Sequence, residues 1–292
     1  MVKTKIMKKG NENKTEKAPK KLGKIKCVDN KVQEYNYMRI QLVSFWTILS
    51  KEINRILRIW TQTLIPPTIT ITLYFVIFGT FIGSRVGEVN GIDYMQFIIP
   101  GLIMMSVINN SYSNVVSSFF GAKFQKSIEE LLVSSTSTLT IILGYIAGGM
   151  FRGLAVGVMV TLISLFFHPL DIHSIFVLAT SILLTSSMFA LAGFINSMFA
   201  KRFDDVMIIP TFVLTPLIYL GGVFFSLSQL NDFWQTIAQV NPILYMINTF
   251  RYGFLGQSDI NIFFAYSMLI LANVILFYVA YRLLDRGYGM RS

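Results

Sequence analysis

The residues best able to ligate a metal are few and poorly spaced for it. His168 and His173 occur in FFHPLDIH without the intervening glutamate of a zinc-protease helix, and Cys27 is the only cysteine. One thiol closes no intrachain disulfide and two loop histidines make no cluster, so neither a metal site nor a catalytic residue is expected. A regular polar pattern lies elsewhere. Ser106, Asn109, Asn110, Ser113, Asn114 and Ser117 follow one another at spacings of 3, 1, 3, 1 and 3 in a run of Ile, Leu, Met, Val and Phe, which makes one polar face on an apolar helix. That face carries no titratable group, which disfavours proton or ion coupling through it. Amides and hydroxyls in hydrocarbon need partners, so the face either bonds to neighbouring helices or borders a wet, substrate-facing cavity.

The elements that carry this face are read from composition. Of 292 residues, 53% are hydrophobic and only 14% charged, too few to cover a soluble surface. Charge-free runs occupy residues 61–82, 94–122, 131–151 with 153–170, 172–200, 206–231 and 261–281. A span needs about 20 such residues, so six transmembrane helices in an all-α integral membrane protein are expected. With the N-terminus inside, 22 Lys and Arg fall on the inner side against Arg85 and Arg251 outside, which puts both termini of a multi-pass protein in the cytoplasm. Residues 1–38 hold 11 lysines and four acids and almost no large apolar groups; they read as a disordered basic tail with no signal-peptide core. The tail is a solvated topology flag or a contact to anionic membrane lipids, and nothing folded follows that could read nucleic acid. Met38 opens a segment that would be complete without it, as an alternative start. Residues 39–60 read as an amphipathic helix lying in the interface, with Leu42, Phe45, Trp46, Leu49, Ile53, Ile56, Leu57 and Trp60 on one face and Lys51, Glu52, Asn54, Arg55 and Arg58 on the other. Residues 61–292 form the transmembrane domain.

Three further features are lodged in the spans. Gly144, Gly148, Gly149, Gly153 and Gly157 line the third, which lets a neighbouring helix approach closely. Arg152 lies among them and must face protein, a cavity or a headgroup, because a lipid-exposed guanidinium costs ~2.5–3.5 kcal/mol or more. Pro210, Pro216, Gly221 and Gly222 predict a kinked fifth span with a loosened outer end, either static shape or a gate. Beyond it, residues 232–259 interleave apolar and polar side chains and are expected to dip into the outer leaflet as short re-entrant helices.

The chain has no visible driver of its own. The only Gly-Lys pair, Gly23 and Lys24, is followed by Ile25, so there is no phosphate loop, and the acids outside the tail lie in loop or interfacial segments. A membrane subunit driven by another polypeptide remains, with FQKSIEELLVSS in the second connection a candidate contact or an ordinary polar turn. An ion-coupled secondary transporter and an ATPase-independent scaffold or channel are the rival classes.

At this point the chain resembles the type-2 permeases of ATP-binding-cassette exporters of polysaccharides, lipids and drugs, from about Met38 onward. The resemblance rests on FIIPGL at 97–102, SIEELLVSSTS at 127–137 followed by IILG at 141–144, PLIYLGGVFFSL at 216–227 and NPILYMINTFRYGF at 241–254. It implies that Ser127, Ile128, Glu129, Glu130 and Leu131, entered through Lys126, form the coupling helix seated on a separate ATPase subunit. It also implies that residues 41–60 are the connecting helix and that Asn241, Pro242 and Arg251 belong to re-entrant extracellular helices. ATP and Mg would be held by the partner subunit, none by this chain, and two permease copies would pair in the cytoplasmic membrane. Asn109, Asn110, Ser113 and Pro216 are then the substrate-path candidates. Ser135 stands where the family commonly has proline, and the tail has no counterpart.

Overall fold

The computed structural model describes residues 22–89 and 91–289. The chain divides into two units, Met1–Ile40 and Gln41–Ser292, and all packing below is within the second. Helix α1 runs over Leu22–Arg58. Residues 22–38, expected to lack structure, are therefore helical; Leu22, Ile25, Val28 and Val32 recur at a helical period that the polarity of the segment conceals. The expectation for residues 1–21 and the C-terminal end beyond 289 lie outside the described residues.

Helix α2 (Trp60–Tyr74) carries Pro66 and Pro67 and continues through a π-helical stretch, Phe75–Ile82, into α3 (Gly83–Val86). A two-residue hairpin follows, β1 (Glu88–Val89) against β2 (Ile92–Asp93), with Glu88 opposite Asp93. Asp93 then caps α4 (Tyr94–Phe124), its carboxylate accepting from the Met95 amide at 3.0 Å. After α5 (Ser127–Val133) come the two long helices α6 (Thr138–Ser164) and α7 (Ile175–Phe199), capped by Ser137 and Ser174. The segment with the prolines is three short pieces in series, α8 (Phe203–Ile209), a π-helical turn at Pro210–Leu214 and α9 (Thr215–Leu220). The π-turn begins at Pro210, which has no amide hydrogen to give the ladder, so the kink expected there is present as a register change. Helices α10 (Asp232–Val240), α11 (Pro242–Leu255) and α12 (Ile262–Asp285) complete the order.

Among the described residues, five helical segments are long and apolar enough to cross a membrane: Trp60–Val86, Thr138–Ser164, Ile175–Phe199, Phe203–Leu220 and Ile262–Asp285. Six were expected, and the missing one is α4. It has the length, 31 residues, but its serines and asparagines lower its apolar character. Its surroundings account for this: α4 packs along α6 and α7 and also against α11, and most of its side chains are buried. A helix walled in by protein need not be compatible with lipid. By contrast α12 exposes Phe263, Phe264, Leu271, Val274 and Ile275, the composition of an outer helix in hydrocarbon.

Small residues make the close contacts around α4. A Cβ on Gly101 would lie 2.9 Å from the Val223 backbone, and one on Gly193 of α7 would lie 2.6 Å from the Tyr112 carbonyl oxygen. On α6, Gly149 and Gly153 press on Val115 and Ser111 of α4, while Gly144 and Gly148 receive Ile48 and Glu52 of α1. The glycine ladder thus serves two neighbours at once. Gly193→Ala is expected to force α4 and α7 apart and to cost about 1–3 kcal/mol, read as a lowered unfolding midpoint in detergent. Gly121→Ala, where nothing lies within 4 Å, should leave the midpoint unchanged or raised; equal midpoints for both variants would contradict this packing.

Candidate functional site

Helix α5 forms because the chain turns sharply after α4. Lys126 takes a left-handed conformation (φ +58°), the one non-glycine residue among those described with positive φ, and its carbonyl receives the Glu129 amide at 3.2 Å. Ser127 Oγ donates to the Ala122 carbonyl at 3.2 Å, and Ile128, 2% exposed, roots the helix in a cluster that includes Phe119, Phe194 and Met198. Leu131 packs partly on the same cluster. Glu129 and Glu130 are exposed, and Val133 is 88% exposed. One face is therefore anchored and the opposite face, acidic and apolar, is open. At Ser135 the absent proline is replaced by local bonding: the helix ends at Val133, and Ser134 Oγ closes it by donating to the Leu131 carbonyl at 2.7 Å.

A second helix fastens this segment. Gln41 of α1 donates from Nε2 to the Ser135 carbonyl at 2.7 Å, and its Oε1 accepts from the Ser137 amide and the Thr140 hydroxyl, both at 2.8 Å. Thr136 Oγ1 donates to Ser44 Oγ at 3.1 Å. Further along α1, Glu52 is 1% exposed. Its carboxylate accepts from Arg55 Nη2 at 2.8 Å and Asn114 Nδ2 at 3.4 Å, and also from the Ser118 hydroxyl. Arg55 Nη2 reaches Asn114 Oδ1 at 2.8 Å as well. The charged stripe of this helix divides: Glu52 and Arg55 turn into the bundle, against the polar face of α4, while Lys51, Asn54 and Arg58 are exposed, as are Leu42, Trp46, Leu57 and Trp60 of the apolar stripe. Sequence reasoning missed Gln41, Glu52 and Arg55 as site residues. The signal was the stripe Gln41, Ser44, Ile48, Glu52 and Ile56, one helix face at spacings of 3, 4, 4 and 4.

The polar face of α4 divides. Ser106, Asn110 and Asn114 are buried; Ser106 donates to Leu102 and Asn110 to Ser106, each carbonyl at 3.0 Å. Asn109 and Ser113 are partly open, and Asn109 bonds back to the Met105 carbonyl at 3.0 Å. Of the substrate-path candidates, then, Asn109 and Ser113 share an open stripe, Asn110 is turned inward, and Pro216 is exposed on α9. Arg152 is half-buried on α6, and its Nε makes no hydrogen bond among the described residues.

The residues expected to shape the outer end do come together. Asn241 separates α10 from α11, donates to the Leu217 carbonyl at 2.6 Å and caps α11 at the Ile243 amide, with Pro242 as the first helical residue. Arg251, 3% exposed, donates to the Gly222 carbonyl at 2.7 Å and stacks 3.8 Å from the centre of the Phe97 ring. Gly222 adopts φ +78°, a turn most side chains resist, and Gly221 lets Ile243 approach. Helix α11 is thus pinned to the end of α9 and the start of α4.

Such a bundle, apolar outside and polar at its sheltered centre, is that of a multi-pass membrane protein. The chain belongs to the ABC-2 type transporter family, whose pattern it matches over residues 43–255. It is 55% identical to the inner membrane transport permease YadH of Escherichia coli K12 over 255 residues, 87% of this chain and all of that protein. It is 26% identical to nodulation protein J of Sinorhizobium fredii over 209 residues, 71% of this chain and 80% of that one.

Glu52→Ala would leave Arg55, Asn114 and Ser118 without their shared acceptor and should cost about 2 kcal/mol, since Arg55 keeps some access to water. Thermal unfolding in detergent measures it, with Glu52→Gln expected between wild type and Glu52→Ala; an unshifted midpoint for Glu52→Ala would remove the clamp.

Proposed function

We propose that this chain is the six-span membrane subunit of an ATP-driven exporter in the inner membrane, working as a permease pair with two separate ATPase subunits that hold ATP and Mg. The observation that carries the reading is α5: rooted through Ile128 on one side and open through Glu129, Glu130 and Val133 on the other. Family membership and the inner-membrane name of the Escherichia coli relative support the partnership and the location. The charge bias of the connections supports cytoplasmic termini, with α5 on the same side. In this reading α4 is the sixth span, sheltered rather than apolar, and α10 and α11 are the re-entrant pair.

Closure of the ATPase pair displaces α5. Because Ser127 and Ile128 tie it to the base of α4, and Gln41 ties the following turn to α1 and the start of α6, the three helices respond together. Movement at that end changes how α4 meets the partner permease and opens a path. Cargo passes along the open stripe of Asn109 and Ser113, with Pro216 on the neighbouring wall. These uncharged groups suit a glycan, a lipid or a drug-like amphiphile.

The charge-reversed pair Glu129→Lys and Glu130→Lys should insert normally and abolish transport while ATP hydrolysis continues uncoupled in the complex reconstituted in vesicles. Transport at the wild-type rate by that double variant would overturn the docking role of α5.

A further inference from the structure

At the end of the bundle that carries α5, a cavity of about 720 Å³ opens between the end of α4, the start of α5 and the end of α7. Three ammonium groups line it. Lys123 Nζ donates to the carbonyls of Met198 and Ala200, at 2.9 and 2.8 Å, which caps the end of α7 and fixes one positive charge in the wall. Lys126 enters from the α4–α5 turn and Lys201 from the α7–α8 turn, and both are exposed. The one carboxylate lining the cavity is Glu129, so the walls keep a positive excess. The nearby acid Asp205 is engaged by the amides of Lys201 and Arg202 at 2.9 and 3.0 Å.

The rest of the surround is aromatic. Phe120 and Phe124 meet Phe203 at 5.0 and 4.8 Å, and Phe199 meets Tyr288 at 5.2 Å. Phe124 and Phe203 are 60% and 58% exposed, with Tyr288 exposed beside the cavity. A site for a small soluble anion has no use for exposed rings, and a purely apolar groove has no use for three lysines. Cations flanked by open aromatic rings, at the level where the membrane-crossing helices end, match a ligand with a phosphate head and hydrocarbon tails.

We propose that this cavity is a binding site for the headgroup of an anionic phospholipid, the phosphate held by Lys126 and Lys201 with Lys123 behind them, and the acyl chains lying over Phe124 and Phe203. The proposal rests on the membrane placement given above, and it is tested without a transport assay, so its failure is separate from failure of the exporter reading.

The full chain is purified in detergent and offered equal amounts of phosphatidylglycerol and phosphatidylcholine, and bound lipid is counted by native mass spectrometry. Wild type should retain phosphatidylglycerol preferentially. The variant K126Q/K201Q should lose that retention by about fivefold for each lysine removed, with its unfolding midpoint unchanged because both side chains are exposed. The variant R85Q, which removes an exposed cation near the start of α4, should retain lipid as wild type does. Equal retention of the two lipids by wild type, or undiminished phosphatidylglycerol on K126Q/K201Q, would overturn the proposal. Displacement of the bound lipid by millimolar inorganic phosphate would overturn it in favour of a small-anion site.

Discussion

A helix that carries two hydrogen-bonding side chains per turn cannot meet hydrocarbon on that side, and the arrangement of the whole bundle follows from hiding α4. Its buried amides are satisfied by carbonyls one turn back and by Arg55 and Glu52 of α1. Helices α6 and α7 approach it through glycines, which bring backbone near backbone and exclude lipid from the seam. The apolar helices α2 and α12 can then face outward, with few of their side chains buried.

Most of the architecture was legible because hydrocarbon imposes one rule on every exposed residue. The charge-free runs mark the long helices, the glycines of α6 mark close contacts, and Pro210 marks the change of helical register in the fifth run. Helix α5 was legible as a short amphipathic helix through its mixture of acidic and apolar residues. The orientation of α1 was not. Its apolar stripe and its charged stripe both read correctly as stripes, yet the residues that bury Glu52 are Gly148 on α6 and Ser118 on α4, far away in sequence. A periodicity in one helix cannot report space that a second helix provides. For the same reason the polar face of α4 could not be divided into Asn110, turned inward, and Asn109, left open.

The two ends of the bundle are fastened by different kinds of side chain. At the α5 end, serines, threonines and Gln41 make many short bonds between α1 and the turn into α6, a connection with several redundant links. At the other end side chains reach backbone groups and a hydroxyl: Arg251 on Gly222, Asn241 on Leu217, Tyr94 on Phe224, and Asp259 on Ser226 and Leu227. A joint with several links transmits displacement with little slack.

The sheltering of α4 also bears on how the chain is made. Helix α4 leaves the ribosome before α6 and α7, the two helices that later enclose it, and Asn109, Asn110 and Asn114 weaken its own partition into lipid. Enclosure of its polar face must therefore await the downstream helices, so that the bundle closes around α4 only after α7 has been made. Interrupting synthesis before α7 would leave the α4 backbone at Tyr112 without the Gly193 surface that covers it.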